Sequence, residues 1–212
     1  MRALVCAAGP IADYTRVRSL IGHTDFVLCA DGGLRHARTM GIKPDLLLGD
    51  FDSIEPELLA EARAGDLPIL QVPVEKDFTD THLAFMEVLK RGATEVVVLG
   101  ATGDRLDHTV ANLLLLPGLP EGVAVTLVDA KNIVRLLHPG GRVTVQGAPG
   151  DFLSLLPLSP VVTGVTVEPV KWPLADATLR WGESLGVSNR LQTTEATVSI
   201  REGYLLVVQA WD

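Results

Sequence analysis

Cysteine is nearly absent: the 212 residues hold two, Cys6 and Cys29, each inside a short apolar run. That argues against a disulfide framework or a thiolate metal site, because a free thiol in such a run behaves as a small buried hydrophobe. Lysine and arginine never cluster, and 26 acidic against 18 basic residues leave a formal net charge of −8. Nucleic acid and anionic membrane surfaces are therefore not expected partners. No apolar run approaches the roughly 18 residues that a membrane span requires. Residues 1–8 are too brief for the apolar core of an export signal and read as a first buried strand, so the expected location is the cytoplasm. Internal repeats and low-complexity segments are also missing.

What the chain has is apolar residues, 47% of the whole, arranged in two styles. Up to about residue 130, short β-branched runs (3–7, 26–30, 46–48, 69–72, 95–99 and 123–128) alternate with helical stretches, which predicts a mainly parallel sheet covered by helices. Residues 109–116 read as one of those helices, and a buried one. After Pro139-Gly140-Gly141 the pattern changes to strand-like runs at 142–145, 152–156, 161–167, 194–200 and 204–209 with no convincing helix between them. The expectation is an α/β domain over 1–137 followed by an all-β sandwich over 138–212. Residues 133–137 could join either side.

Polar clusters fall where the first-half strands end, which is where an open α/β sheet keeps its ligands. The third strand runs into Gly49-Asp50-Phe51-Asp52-Ser53. Two carboxylates so close repel each other, and a hard cation such as Mg²⁺ or a shared proton relieves them. Asp31-Gly32-Gly33 follows the second strand and could present backbone N–H groups to an anion. Lys76-Asp77-Phe78-Thr79-Asp80 precedes a helix, with a lysine suited to phosphate beside carboxylates suited to metal. Gly103-Asp104-Arg105-Leu106-Asp107-His108 follows the fifth strand and offers a planar guanidinium fork, without the Gly-Lys-Ser/Thr of a Walker loop. Each cluster alone also fits ordinary helix capping, by Asp31, by Asp52 or Ser53, by Asp77 or Thr79, and by Asp107.

Taken together and in order, these clusters resemble the motifs of the thiamine pyrophosphokinase family. Lys171-Trp172-Pro173-Leu174 and Gly186-Val187-Ser188-Asn189 look like that family's two thiamine-side motifs, so the resemblance spans nearly the whole chain. His82 stands where the family pattern has an acidic residue, and Asp104 where it has a glycine. The resemblance implies an ATP- and Mg²⁺-dependent transfer of a pyrophosphoryl group to the thiamine hydroxyl, releasing AMP. It also implies a homodimer with active sites at the subunit interface. On this reading Asp50, Asp52, Asp77 and Asp80 bind metal and, with Arg105 and Asp107, serve catalysis. Asp31, Gly32, Gly33, Ser53, Lys76, Thr79, Gly103, Arg105 and His108 hold ATP, while Trp172, Ser188 and Asn189 hold thiamine. Trp172 would be an aromatic platform for a cationic ring or, alternatively, an ordinary core tryptophan. Two other readings remain open: pyrophosphoryl transfer to another hydroxymethyl heterocycle such as a pterin, and a regulator that binds nucleotide or thiamine without catalysis.

Overall fold

A near-continuous apolar strand needs cover on both faces, and β1 (Arg2–Cys6), whose last four residues are buried, has it. The computed structural model describes residues 1–211, in two compact units. The first unit (1–115 with 122–130) continues through α1 (Tyr14–Ile21), β2 (Phe26–Ala30), α2 (Leu34–Met40), β3 (Leu46–Gly49), α3 (Pro56–Ala64) and β4 (Ile69–Gln71). It is completed by α4 (Asp80–Lys90), β5 (Glu95–Leu99), α5 (Leu106–Leu115) and β6 (Ala124–Val128). Its strands pair in the order β4-β3-β2-β1-β5-β6, all parallel.

Leu4, Cys6, Val27, Cys29, Leu47, Val97 and Leu99 pack in one core with Val17 and Ile21 of α1, Ala37 and Met40 of α2, and Leu58 and Ala62 of α3. α4 buries Ala84, Phe85 and Val88 and packs on β1, β2 and β3. The expectation for residues 109–116 needs correction. α5 is a helix, but Leu106, Val110 and Leu114 are 73%, 43% and 60% exposed. Their i, i+4, i+8 spacing puts one apolar stripe in solvent, and Asn112 is the buried residue of the helix.

The second unit (116–121 with 131–212) contains β7 (Asn132–Leu137), β8 (Arg142–Gln146), β9 (Phe152–Pro157), β10 (Val161–Glu168), β11 (Leu174–Arg180), β12 (Asn189–Arg190), β13 (Glu195–Ser199) and β14 (Leu205–Ala210). Antiparallel pairing gives β7-β14-β9-β12 and β8-β13-β10-β11. Between these layers lie Val145, Leu153, Leu155, Val162, Val165, Leu179, Val198, Leu205 and Val207. The division falls before β7, because β7 pairs with β14 along its whole length. β11 was not expected. Its alternation is broken by Asp176 at φ 50°, and its pairing with β10 shifts register twice. Among the described residues no helix is long and apolar enough to cross a membrane.

Candidate active site

The acidic site is set by a core residue. Phe51 has the left-handed φ of 70° that a bulky side chain rarely adopts, yet its ring is 7% exposed within the α/β core. Pulling that ring inward leaves its neighbours Asp50 and Asp52 on the other side, at the mouth of the sheet. Gly49 lets β3 pass close to β2, since a Cβ there would lie 3.0 Å from the Cβ of Asp31. Asp31, Asp50 and Asp52 thereby bring carboxylate oxygens within 4.8 Å of one another. Asp31 is 5% exposed; Ser53 Oγ donates to its Oδ2, while Oδ1 has no hydrogen-bond partner.

Charge in the cluster is unevenly shared. Lys76 Nζ donates to Asp50 Oδ2 and lies 3.1 Å from Asp80 Oδ1, with all three side chains mostly shielded. For Asp50, burial pushes the pKa up, but hydrogen bonds from Lys76 and the Asp52 backbone N–H outweigh it and leave the carboxyl below its ordinary value. Asp52 is raised, first by the Asp50 charge and then by desolvation and Asp31. Asp80 is also raised, because desolvation exceeds the pull of Lys76. The Lys76 ammonium is raised: its two carboxylates overcome the cost of burial.

The four aspartates border a cavity of about 650 Å³ at the carboxyl ends of β1, β2, β3 and β5. Asp31, Asp50, Asp52, Ser53, Thr79, Asp80, Gly103, Arg105 and His108 line it; Gly32, Gly33, Lys76, Asp77 and Asp107 do not, Lys76 standing behind Asp50 and Asp80. Gly33 has a packing role, as a Cβ there would meet the Cys6 carbonyl oxygen at 1.8 Å. Asp77 and Asp80 both stand outside the three-carboxylate cluster, where Asp31 is found; Asp77 is exposed, and Asp80 faces Lys76. Thr79 caps α4, accepting from the His82 N–H at 3.2 Å, and the His82 ring stacks edge-on against Phe78 at 4.5 Å. Arg105 is paired with Asp107 through two hydrogen bonds of 2.9 and 2.6 Å. That exposed fork raises Arg105 and holds the Asp107 carboxyl well below the usual carboxylate range.

Sequence reasoning missed residues 7–10, which form one wall, and Asn112, whose Nδ2 donates to the Ala101 carbonyl at 2.7 Å. A lone asparagine in an apolar helix and a Gly-Pro step at a strand end were the signals.

In the sandwich, Trp172 is 54% exposed, so it is not a core residue. Lys171 Nζ sits 4.4 Å from its ring centroid. Asn189 is buried: Oδ1 accepts from the Trp172 N–H at 3.0 Å and the Arg190 N–H at 2.9 Å, and Nδ2 donates to the Trp172 carbonyl at 2.6 Å. It clamps the Trp172 backbone through both amide atoms, bonds that use one of the two Nδ2 hydrogens. Ser188 is exposed at φ 60°, and its N–H donates to Ser154 Oγ at 3.0 Å.

A parallel sheet whose strand ends gather carboxylates and a lysine around a cavity, followed by a β-sandwich with a clamped aromatic, defines an α/β enzyme with an appended ligand-side domain. The comparisons with known proteins name the family. Residues 17–126 match the model of the thiamin pyrophosphokinase catalytic domain and residues 142–205 that of the thiamin pyrophosphokinase vitamin B1 binding domain. The chain belongs to the thiamin pyrophosphokinase family. It is 29% identical over 214 residues to the thiamine pyrophosphokinase of Bacillus subtilis, covering 98% of each chain. The solved Bacillus subtilis thiamine pyrophosphokinase superposes with a TM-score of 0.86 at 27% identity, over 100% of both chains. A thiamin pyrophosphokinase family protein from Enterococcus faecalis gives 0.82 at 30% identity, also over 100% of both.

Proposed function

We propose that this chain transfers the pyrophosphoryl group of ATP to the hydroxyl of thiamine, giving thiamine diphosphate and AMP. The observation that carries the reading is the convergence of Asp31, Asp50 and Asp52 beside Lys76 on one cavity of the catalytic unit. The hydroxyl oxygen bonds to the β-phosphorus as the bond from that phosphorus to the α,β-bridging oxygen breaks; AMP leaves with that oxygen, and the hydroxyl proton passes to water. In such transfers the protein chiefly aligns the reactants and neutralises charge.

The residues present fit Mg²⁺. Three carboxylates lie within 4.8 Å, Asp31 Oδ1 is buried without a partner, and an all-oxygen donor set suits a hard cation. Asp31, Asp50 and Asp52 would hold it, with Asp80 at the edge of the set, and when bound it withdraws charge from phosphate oxygens. Asp77, exposed as it is, has the weaker claim of the four aspartates expected from sequence. Lys76 and Arg105 meet the polyphosphate, and residues 100–105 and His108 shape the cavity around it.

Trp172 and Ser188 receive thiamine, with Asn189 acting through the Trp172 backbone. The chain acts as a homodimer in which the Trp172 face of one subunit serves the cavity of the other. The exposed apolar stripe of α5 and the exposed Trp181, Leu185 and Val187 of the sandwich support an association of this kind. A transfer to a pterin keeps the same cavity but not the family's vitamin B1 module, and a silent regulator gains nothing from carboxylates that repel free nucleotide.

The test is direct. Protein, ATP, Mg²⁺ and thiamine are mixed and followed by ³¹P NMR, with a hydroxymethylpterin in competition. AMP and a new diphosphate ester of thiamine are expected; AMP formed only with the pterin, or none at all, defeats the proposal.

A further inference from the structure

A buried histidine with both ring nitrogens engaged stands behind the wall formed by residues 7–10. His36, on α2, is 1% exposed. Its Nε2 lies 2.8 Å from the Gly9 carbonyl oxygen, and its Nδ1 lies 2.8 Å from the Tyr14 hydroxyl of α1. A carbonyl only accepts, so Nε2 carries the hydrogen. In a neutral ring Nδ1 must then accept, and Tyr14 donates to it. One tautomer satisfies both partners. Burial favours this neutral form: desolvation is the largest influence on the ring and sets its pKa below the ordinary value, with Arg35 pushing the same way and the Gly9 contact and Glu55 opposing.

The preceding residue acts in parallel. Arg35 donates to the carbonyl of Ala8, so two consecutive side chains of one helix hold two consecutive carbonyls of the loop after β1. That loop has no slack against the next. The Gly9 N–H donates to the Gly100 carbonyl at 2.9 Å, and a Cβ at Gly9 would stand 2.4 Å from the carbonyl oxygens of Gly100 and Thr102. A Cβ at Gly103 would stand 2.4 Å from Pro10 Cδ. Close-packed backbone transmits displacement instead of absorbing it. α2 itself follows directly from the turn holding Asp31, so the helix that bears His36 is continuous with one corner of the acidic cluster.

We infer that His36 is a positioning residue for nucleotide: it fixes residues 8–10 against the loop that carries Arg105, and so sets the shape of the polyphosphate wall without touching ligand. This rests on the proposed reading of the cavity and adds to it which wall is adjustable and from where. Its effect falls on nucleotide, because the thiamine-side residues Trp172 and Ser188 belong to the other unit.

Three variants test it. His36→Leu removes both hydrogen bonds. His36→Gln can return an amide N–H to the Gly9 carbonyl and offers nothing to Tyr14. Tyr14→Phe leaves the Gly9 bond and frees Nδ1. Each is measured by thermal unfolding, by calorimetric Kd for Mg-ATP, and by KM for ATP and for thiamine. His36→Leu is expected to weaken Mg-ATP binding about tenfold while KM for thiamine moves less than about twofold, with His36→Gln recovering to within about threefold of wild type and Tyr14→Phe falling between. A His36→Leu protein with a lower Tm but wild-type Kd for Mg-ATP has lost a merely structural residue, and the inference is overturned; equal rises in both KM values overturn it too. Should His36→Leu not fold, the other two decide: nucleotide affinity unchanged in both overturns it, whereas a graded loss upholds it. Wild-type protein that binds Mg-ATP but makes no thiamine diphosphate defeats the proposed reaction and leaves the positioning role readable in Kd. Wild-type protein that binds no Mg-ATP defeats both.

Discussion

The two units hold their polar residues in opposite ways. In the α/β unit the charges themselves are packed: Asp50, Lys76 and Asp80 side chains are 8%, 15% and 22% exposed, and Lys76 pairs with both carboxylates. In the sandwich a neutral amide is buried, Asn189, and what it supports is presented to solvent, Trp172 at 54% exposure. A site that must gather negative charge around a cation is built rigid beforehand, since like charges do not assemble without being held. A platform for a flat ring needs only a fixed backbone beneath it. Loss of a charge in the first unit should therefore destroy chemistry, while loss in the second should weaken acceptor binding.

The sharpest break of that contrast is Asp50→Asn or Asp52→Asn. Each is expected to cut kcat by about a hundredfold or more with the fold retained, because the proposed metal site loses a charged ligand and the core loses no contact. Circular dichroism with steady-state rates at saturating Mg²⁺ checks this, and near-normal turnover in both variants would undo the metal assignment.

Asn189→Ala comes next. It strands the Trp172 N–H and C=O together, so stability should fall by about 2 kcal/mol and KM for thiamine should rise with KM for ATP held. Trp172→Ala should leave stability nearly intact and raise KM for thiamine by the equivalent of about 1 to 2 kcal/mol if a cation–π contact is lost. Denaturant unfolding and the two KM values separate clamp from platform; a Trp172→Ala protein as unstable as Asn189→Ala would merge them.

Arg105→Lys should have a moderate effect, with kcat/KM for ATP falling more than that for thiamine, since lysine cannot reproduce the guanidinium fork. Arg105 already spends that fork on Asp107, so Asp107→Asn is the informative companion: with the fork released, ATP use should be affected less than in Arg105→Lys. An equal loss on both substrates would make the pair a loop brace.

The smallest effect concerns acid. His36 has a folded-state pKa below its unfolded value, chiefly through desolvation, so in acid the unfolded chain binds the extra proton. Its contribution is complete above the unfolded pKa of about 6.5 and is lost as pH falls below it. His36→Gln should flatten the decline in Tm between roughly pH 6.5 and 5; an unchanged slope would show that other groups cause it.

Most of the parallel sheet was legible because strands buried on both faces leave unbroken apolar runs, as in Leu46-Leu47-Leu48 and residues 96–99. α5 misled because its composition is that of a core helix while half its apolar residues face solvent; composition carries no information about which neighbour is missing. β11 was hidden by Asp176 and a register that slips twice. In the site, spacing marked the carboxylates but not their grouping. Asp31 and Asp50 meet through the pairing of β2 with β3, a long-range fact, whereas Asp77, closer in sequence to Asp80, turns outward. Gly33 was visible as a glycine, but its reason, a carbonyl of β1 pressing on it, belongs to the tertiary structure.

Phe51 ties ligand capture to the order of the whole catalytic core. Its ring is shared between the packing of α1, α2 and α3 and the aim of the two carboxylates beside it. If the cluster takes Mg²⁺ as proposed, cation affinity would gauge how well that core is closed, even for changes that never approach the metal. A truncation such as Leu58→Ala, in the same cluster, would then loosen the seat of Phe51 and weaken the proposed Mg²⁺ site. A cation bound at Asp50 and Asp52 would, by the same linkage, hold the α1–α3 side of the molecule shut.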